Sequence, residues 1–123
     1  MPDFTFLLLH VESHAASAAF YNALLDIPIV EQKPGFAMLP LRDGVMLGLW
    51  SRETVEPESS GQTGASEIAF AVADRAAVEA THEAWRRRGL TVLQAPTRMS
   101  FGTTFVALDP DGHRLRVFAP DAA

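Results

Sequence analysis

The chain has 123 residues, 48% of them hydrophobic, with ten basic and fifteen acidic side chains, a net charge of −5 and no cysteine. This length suits one compact domain, and the lack of cysteine excludes disulfides, thiolate nucleophiles and Cys-bound zinc and fits a cytoplasmic protein. An acidic chain without a basic run is a poor partner for nucleic acid, and the apolar run at residues 6–9 is too short to cross a membrane.

The first half of the chain predicts a strand, a helix and then a hairpin. TFLLLHVE, roughly residues 4–12, is typical of a buried strand. HAASAAFYNALLD changes to helical spacing, with one apolar face formed by Ala16, Phe20, Leu24 and Ile27. IPIVEQ predicts a short strand. GFAMLPL and VMLGLW then flank Arg42-Asp43-Gly44, where the glycine favours a hairpin turn.

The second half repeats this order after a polar linker at residues 52–65, which is rich in Gly, Ser and Pro. SEIAFAVA predicts a strand. DRAAVEATHEAWRRRG predicts a helix that Asp74 caps and Gly89 ends, with an inward stripe of Val78, Thr81, His82 and Trp85. LTVLQAP predicts a strand, and TTFVALDPDGHRLRVF predicts a hairpin that turns at residues 109–112.

The two halves therefore read as a duplication. Alignment on Gly44 and Gly112 matches Leu47 with Leu115, and alignment of the two openings matches Phe6 with Glu67. We predict an α+β fold of two βαβββ modules, about residues 4–51 and 66–119, within a single domain at 1–123.

Three potential metal ligands, His10, Glu12 and His14, occupy alternate positions near the N-terminus. On one extended strand, residues 10 and 14 would be about 13 Å apart, whereas zinc–nitrogen bonds are about 2 Å. His14 follows Ser13 and is expected to begin the helix. We therefore predict no metal site here and place His10 at the rim of a ligand site. A metal-free acid–base role for His10 with Glu67 remains the alternative.

The paired modules, with SAAFYNALLDIPIVE in the first and DPDGHRLRV closing the second, resemble the vicinal-oxygen-chelate superfamily. That superfamily includes glyoxalase I, extradiol dioxygenases and antibiotic-binding resistance proteins. The resemblance implies curled antiparallel sheets, helices on the convex side and a ligand cup on the concave side.

The ligand positions of the metal-dependent members fall on Phe6, Gly48, Glu67 and Arg116. Only Glu67 has a side chain that can bind a cation. We therefore expect no metal and no other cofactor, with Glu67 and Arg116 forming an ion pair across the cup.

VMLGLWS, SEIAFAV, FGTTF and DPDGHRLRV narrow the resemblance to the phenazine-antibiotic resistance proteins of this superfamily. This implies a metal-free homodimer that sequesters a planar aromatic antibiotic, with Trp50 stacking on the ligand and Phe101 on the opposite wall. Strand parity adds further lining residues, namely His10, Met46, Gly48 and Phe118.

Two questions stay open from the sequence. PTRMSFGTTF either folds over the mouth of the cup or forms a hairpin connection with a half-buried Phe101. Arg114 and Arg116 favour an uncharged or carboxylate-bearing ligand. The alternative to a binding protein is a lyase, isomerase or oxygenase of the same superfamily.

Overall fold

The computed structural model describes residues 2–121. The first module contains β1 (Phe6–Val11), α1 (His14–Leu25), β2 (Glu31–Lys33), β3 (Phe36–Arg42) and β4 (Val45–Ser51). The second contains β5 (Glu67–Ala71), α2 (Arg75–Arg87), β6 (Val92–Met99), β7 (Gly102–Leu108) and β8 (Arg114–Ala119). The predicted α+β fold of two βαβββ modules is confirmed.

Each module forms one four-stranded sheet, with strand orders β1-β4-β3-β2 and β5-β8-β7-β6. The registers support the duplication, because Phe6 pairs with Met46 in the first sheet and Glu67 with Arg114 at the equivalent place in the second. One detail differs from the prediction of antiparallel sheets. β1 is parallel to β4, and β5 is parallel to β8, so both sheets are mixed.

Helix α1 begins where the sequence predicts but buries a different face. The Ser13 side chain accepts a hydrogen bond from the Ala16 N–H at 3.1 Å and caps the helix. The buried residues of the helix are Ser17, Ala18 and Tyr21. The sequence predicted that the helix buries another set of residues, and that prediction was wrong, because the buried face is shifted by about one residue. The predicted residues, Ala16, Phe20, Leu24 and Ile27, are exposed or half-buried.

Helix α2 follows its predicted pattern closely. Asp74 caps it through a 2.8 Å bond from the Ala77 N–H, and Gly89 follows its end with a positive φ of 86°. Val78 and Trp85 are buried. The Trp85 ring meets Phe70 and Phe105 edge-on, at centroid distances of 6.2 and 5.5 Å. Trp85 therefore belongs to the core of the second module.

The segment PTRMSFGTTF forms the hairpin between β6 and β7. Arg98 pairs with Thr103, and Met99 pairs with Gly102. Gly102 has a φ of 137°, and any β-carbon there would collide with the Ala119 carbonyl oxygen, so a glycine is needed at this turn. Of the two alternatives left open by the sequence, the hairpin connection is present, but Phe101 at its turn is 44% exposed where a half-buried side chain was expected.

The internal contacts of the chain divide it into two compact units, Met1–Thr63 and Gly64–Ala123. The boundary lies within the predicted linker at residues 52–65. A short 3-10 turn, Arg52–Thr54, opens that segment. Within residues 2–121, neither helix has the length and apolarity that a membrane crossing requires.

Candidate functional site

The first sheet presents one face to α1 and leaves the other open. Leu9, Val11, Leu47 and Leu49 are buried on the helix side of the sheet. Residues of opposite parity point the other way, and we call this second surface the open face. Phe6 at the start of β1 and Leu8 in its middle lie on this open face with relative exposures of 41% and 44%, so two neighbouring large apolar side chains are exposed there.

An aromatic row crosses this open face. The register places Phe36, Trp50 and His10 side by side on β3, β4 and β1. The Trp50 ring meets both neighbours edge-on, with centroid distances of 6.3 Å to Phe36 and 6.3 Å to His10. Edge-to-face contacts of this kind fix ring orientation, so Trp50 is held by a neighbour on each side.

A cavity of about 420 Å³ adjoins this row. Its walls are mostly apolar or aromatic, and its lining residues are Phe6, Leu8, Lys33, Pro34, Phe36, Trp50 and Thr54. Small-molecule sites in proteins typically enclose about 300–1,000 Å³ and combine apolar walls with a few polar groups. The cavity has this size and this chemistry.

Gly48 supports the cavity from beneath. A β-carbon at Gly48 would collide with Cδ2 of Leu8 and would lie 3.3 Å from the Phe36 ring. Strand parity predicted Gly48 as a lining residue. Instead, Gly48 is buried beneath the side chains of Leu8 and Phe36 and is not among the residues that line the cavity. Gly48 therefore determines where two cavity walls lie.

The two N-terminal histidines make different contacts. His10 lies on the open face, and its Nδ1 is 2.8 Å from the Ser59 hydroxyl in the linker. His14 is the first residue of α1, and its Nδ1 is 2.8 Å from the buried Ser51 hydroxyl, which also accepts the His14 N–H at 3.0 Å. His14 thus ties the start of α1 to the end of β4.

The predicted ion pair between Glu67 and Arg116 is present, within the second sheet. Arg116 Nε lies 3.0 Å from Glu67 Oε2, and Arg116 Nη2 lies 3.4 Å from Oε1. The two residues are diagonal neighbours on parallel strands, because Glu67 pairs with Arg114 and Ala69 pairs with Arg116. The expectation that they meet across a cup is corrected, since they lie on adjacent strands of one sheet.

Thr104 and Phe101 complete the surroundings of Arg116. The Thr104 hydroxyl donates to the Val117 carbonyl at 2.9 Å and accepts from Arg116 Nη1 at 3.2 Å. The guanidinium carbon lies 5.8 Å from the centre of the Phe101 ring, which also meets Phe118 edge-on at 6.2 Å. Arg116 is thus held by hydrogen bonds in its plane and by a cation–π contact.

The eight predicted site residues therefore fall into two sets. His10, Met46, Gly48 and Trp50 belong to the first module, and Glu67, Phe101, Arg116 and Phe118 belong to the second. Of the first set, only Trp50 lines the cavity; His10 contacts the Trp50 ring, Gly48 lies beneath Leu8 and Phe36, and Met46 is outside the lining. In the second set, Arg116 contacts Glu67 and Phe101, and Phe101 contacts Phe118.

The residues at the four positions where the resemblance implied metal ligands do not fit a metal. Phe6 and Gly48 carry no donor atom in their side chains, and Arg116 is a permanent cation. The Glu67 carboxylate already accepts hydrogen bonds from Arg116. In the described part of the chain, no three His, Asp or Glu side chains come together as a set that could hold a metal ion.

The remaining histidines, His82 on α2 and His113 just before β8, lie in the second module. His82 is half-buried, with its ring 5.3 Å from that of Phe105. His113 is a buried residue, although the sequence indicated an ordinary turn position. Its Nδ1 accepts the Gly64 N–H at 3.3 Å, and its own N–H donates to Asp109 at 2.8 Å. His113 thus connects Gly64, at the start of the second module, with the turn at Asp109.

Sequence reasoning missed several contributors to the site. Phe36 is a wall because β3 pairs it with Trp50, and strand parity applied to β3 would have indicated it. Lys33, Thr54 and Ser59 lie on a short edge strand and in the linker. No periodic pattern marks such positions.

Comparison with protein families gives a match over nearly the whole chain. The Glyoxalase/Bleomycin resistance protein/Dioxygenase superfamily model matches residues 4–117. No functionally curated protein matches.

Solved structures with the same fold come from several bacteria. A protein from Agrobacterium tumefaciens, solved by NMR in solution, is 46% identical, with 99% of this chain and 100% of that one covered and a TM-score of 0.88. A glyoxalase/bleomycin resistance protein/dioxygenase from Nocardioides is 27% identical over 98% and 84% of the chains, with a TM-score of 0.79. A family enzyme from Burkholderia phytofirmans, 22% identical over 98% and 100%, has a TM-score of 0.80 and shows the fold alone.

Proposed function

Because the chain belongs to the Glyoxalase/Bleomycin resistance protein/Dioxygenase superfamily, we propose that it is a metal-free binding protein that sequesters a planar aromatic small molecule. The ligand is phenazine-like, and sequestration confers resistance to it as an antibiotic. The single observation that carries this proposal is the cavity beside Trp50.

The cavity suits a flat apolar guest for two physical reasons. Its aromatic walls, Phe6, Phe36 and Trp50, offer ring faces and edges to a fused ring system. A stacked or edge-to-face aromatic pair adds about 0.5–1.5 kcal/mol to the free energy gained by burying area. The edge contacts from Phe36 and His10 hold Trp50 in place, which lowers the entropy cost of ordering it on binding.

The second module offers a separate cluster of candidate contacts around Arg116. Phe101 is 44% exposed, and the half-buried Arg116 lies against its ring. Within this module we propose Phe101 as an aromatic ligand contact, with Arg116 and Glu67 as polar contacts. Exposed apolar side chains in both modules, Phe6, Leu8, Met99 and Phe101, support the proposal of a homodimer that covers them.

The competing function is that of a superfamily enzyme, a lyase, isomerase or oxygenase. A metal-dependent reaction is disfavoured by the donor chemistry at Phe6, Gly48 and Arg116. A metal-free reaction would need His10 or Glu67 as acid or base, but each is already hydrogen-bonded within its own module, to Ser59 and Arg116 respectively. Mass spectrometry of the compound after incubation separates the two functions, because sequestration returns it unchanged.

Tryptophan fluorescence gives the direct test. The chain has two tryptophans, so the Trp85→Phe variant leaves Trp50 as the reporter. Titration with phenazine should quench Trp50 emission with saturation. In equilibrium dialysis, Trp50→Ala should weaken binding about tenfold or more, which corresponds to about 1.4 kcal/mol or more.

Phe4→Ala is the matched control. Phe4 is an aromatic residue of the same module, 70% exposed and outside the cavity lining. Its loss should leave binding unchanged. Equal affinity of the native protein and Trp50→Ala would remove the stacking role and with it the proposed site.

A further inference from the structure

The cavity beside Trp50 carries one cation among uncharged walls. Lys33 is the only ionisable side chain among the described lining residues, and it is the only lysine in the sequence. Building on the function proposed above, we infer that the aromatic ligand bears an acidic group, a carboxylate or a phenolate, which the Lys33 ammonium binds at the edge of the cavity.

The placement of Lys33 follows from the register of the edge strand β2. Lys33 pairs with Phe36, the residue whose ring forms one wall. Its Nζ lies 5.7 Å from the centre of that ring, within the range of a cation–π contact. The positive charge is therefore held over the aromatic wall, and an acidic substituent on a ring bound in the cavity has a cation within reach.

The resting partner of Lys33 is exchangeable. Its ammonium lies 3.2 Å from Glu31, two residues away on the same strand, and the two side chains are 61% and 43% exposed. Exposed pairs of this kind contribute little net free energy, because water and salt compete for both charges. A ligand anion beside the apolar walls can replace Glu31 without leaving a buried charge unpaired.

The Thr54 hydroxyl of the lining does not supply a donor. The Thr54 hydroxyl already donates to the Ser51 carbonyl at 2.9 Å, so it can only accept. An adjacent groove that shares Thr54 is acidic, with Glu12, Glu53, Glu56 and Glu58 among its lining residues. Those carboxylates would attract a cationic ligand, whereas Lys33 would attract an anionic one. Measuring which ligand charge the protein prefers therefore decides between the two.

Three compounds of similar shape but different charge separate the effect of ligand charge on affinity from the effect of aromatic stacking. Phenazine-1-carboxylate, its uncharged carboxamide and the cationic aminomethyl analogue are titrated against the native protein by calorimetry at low salt. The carboxylate should bind about two- to fivefold more tightly than the carboxamide, as expected for one exposed ion pair. That advantage should shrink in 0.5 M salt, because screening weakens exposed charge pairs.

Substitutions at Lys33 and Glu31 on β2 should change the preference for the carboxylate over the carboxamide in opposite directions. Lys33→Gln should abolish the advantage of the carboxylate, Lys33→Arg should keep it, and Glu31→Gln should increase it by freeing Lys33. In each variant the quantity compared is the ratio of the carboxylate and carboxamide affinities, because a change in packing against the cavity wall affects both compounds alike. Arg42→Gln, an exposed cation of the same sheet outside the cavity lining, should change nothing.

The outcomes separate a failure of the acidic-ligand inference from a failure of the proposed function, the binding of an aromatic compound. If carboxylate and carboxamide bind equally, or if the cationic analogue binds most tightly, the acidic ligand is ruled out while aromatic binding stands. If none of the three compounds binds, the proposed function fails, and this inference fails with it.

Discussion

The guanidinium of Arg116 contacts both carboxylate oxygens of Glu67, at 3.0 and 3.4 Å, from the neighbouring parallel strand. The Arg116 side chain is 17% exposed and that of Glu67 is 36% exposed, so the pair is partly desolvated. The family resemblance implied a metal ligand at each of these two positions. Here they carry two opposite charges that neutralise each other.

A double-mutant cycle measures how strongly this pair stabilises the second module. We expect Glu67→Gln, Arg116→Met and the double variant to give a coupling free energy of about 0.5–1 kcal/mol in urea unfolding, because the pair is only partly exposed to water. The exposed pair Arg75–Glu79 on α2 is the control and should couple by no more than about 0.5 kcal/mol. Coupling near zero for Glu67 and Arg116 would mean that solvent screens them fully.

Ser51→Ala should destabilise the first module by about 1–2 kcal/mol. Ser51 is 4% exposed, and its hydroxyl binds both the backbone N–H and the imidazole of His14. Removing it leaves two partly buried groups without a partner, and such groups cost about 1–3 kcal/mol. Thermal or urea unfolding measures the loss. Ser60→Ala, at an exposed linker position, should have no effect, and equal stability of the two variants would contradict the role of Ser51.

The elements and turns of this chain could be predicted because their signals are local. Gly44 and Gly112 mark hairpins through their positive φ, and Asp74 marks the start of α2 through its cap. The inner face of α1 could not be predicted in the same way. Its buried residues include Ser17 and the amphipathic Tyr21, which a search for apolar spacing passes over.

The contribution of the Glu83 carboxylate on α2 to the stability of the protein depends on pH. Arg86 donates two hydrogen bonds to Glu83, at 2.7 and 3.1 Å, and Arg87 adds a third at 3.1 Å. The hydrogen bonds from Arg86, together with its charge and the contact from Arg87, lower the pKa of Glu83 from its usual value of 4.5. Because the folded-state pKa is the lower one, the stabilisation is present above about pH 4.5 and is lost as the pH falls through the folded value.

An NMR titration of the Glu83 side-chain carboxyl carbon checks this prediction. Arg86→Gln should raise the Glu83 pKa towards 4.5 and remove part of the pH dependence of unfolding. Arg75→Gln, on the same helix and paired with Glu79, should leave the titration unchanged. An unshifted Glu83 in the native protein would show that these exposed contacts do not persist in solution.

The candidate site could be predicted only in part, for a reason that involves distance along the chain. Alternation within β1 places His10 on the face of Phe6 and Leu8, and alternation within β4 places Trp50 on the face of Gly48. Neither placement requires knowledge of how the strands pair. The wall formed by Phe36 depends on which residue of β3 lies opposite Trp50, and the position of Lys33 depends on the register of β2. Those registers are set by pairing between strands, so residue types alone do not indicate them.

Gly48→Ala tests how Gly48 positions the side chains of Leu8 and Phe36, which form two walls of the cavity. The added methyl group would collide with Leu8 and press on the Phe36 ring, so we expect a loss of about 1–3 kcal/mol in the free energy of unfolding, the usual cost of overpacking. Leu8→Ala in the same chain removes the colliding atoms. The double variant should therefore lose less stability than the sum of the two single variants.

Ligand titration of the same variants links this packing to binding. Displacement of Leu8 and Phe36 should weaken phenazine binding in Gly48→Ala, because both side chains line the cavity. Gly44→Ala is unsuitable as a control, since Gly44 has a φ of 77° and would be strained whatever the space. Ala19→Gly, at an exposed position of α1, serves instead as a small-residue change that should leave binding intact. Strictly additive losses in the double variant would show that Gly48 does not act through Leu8.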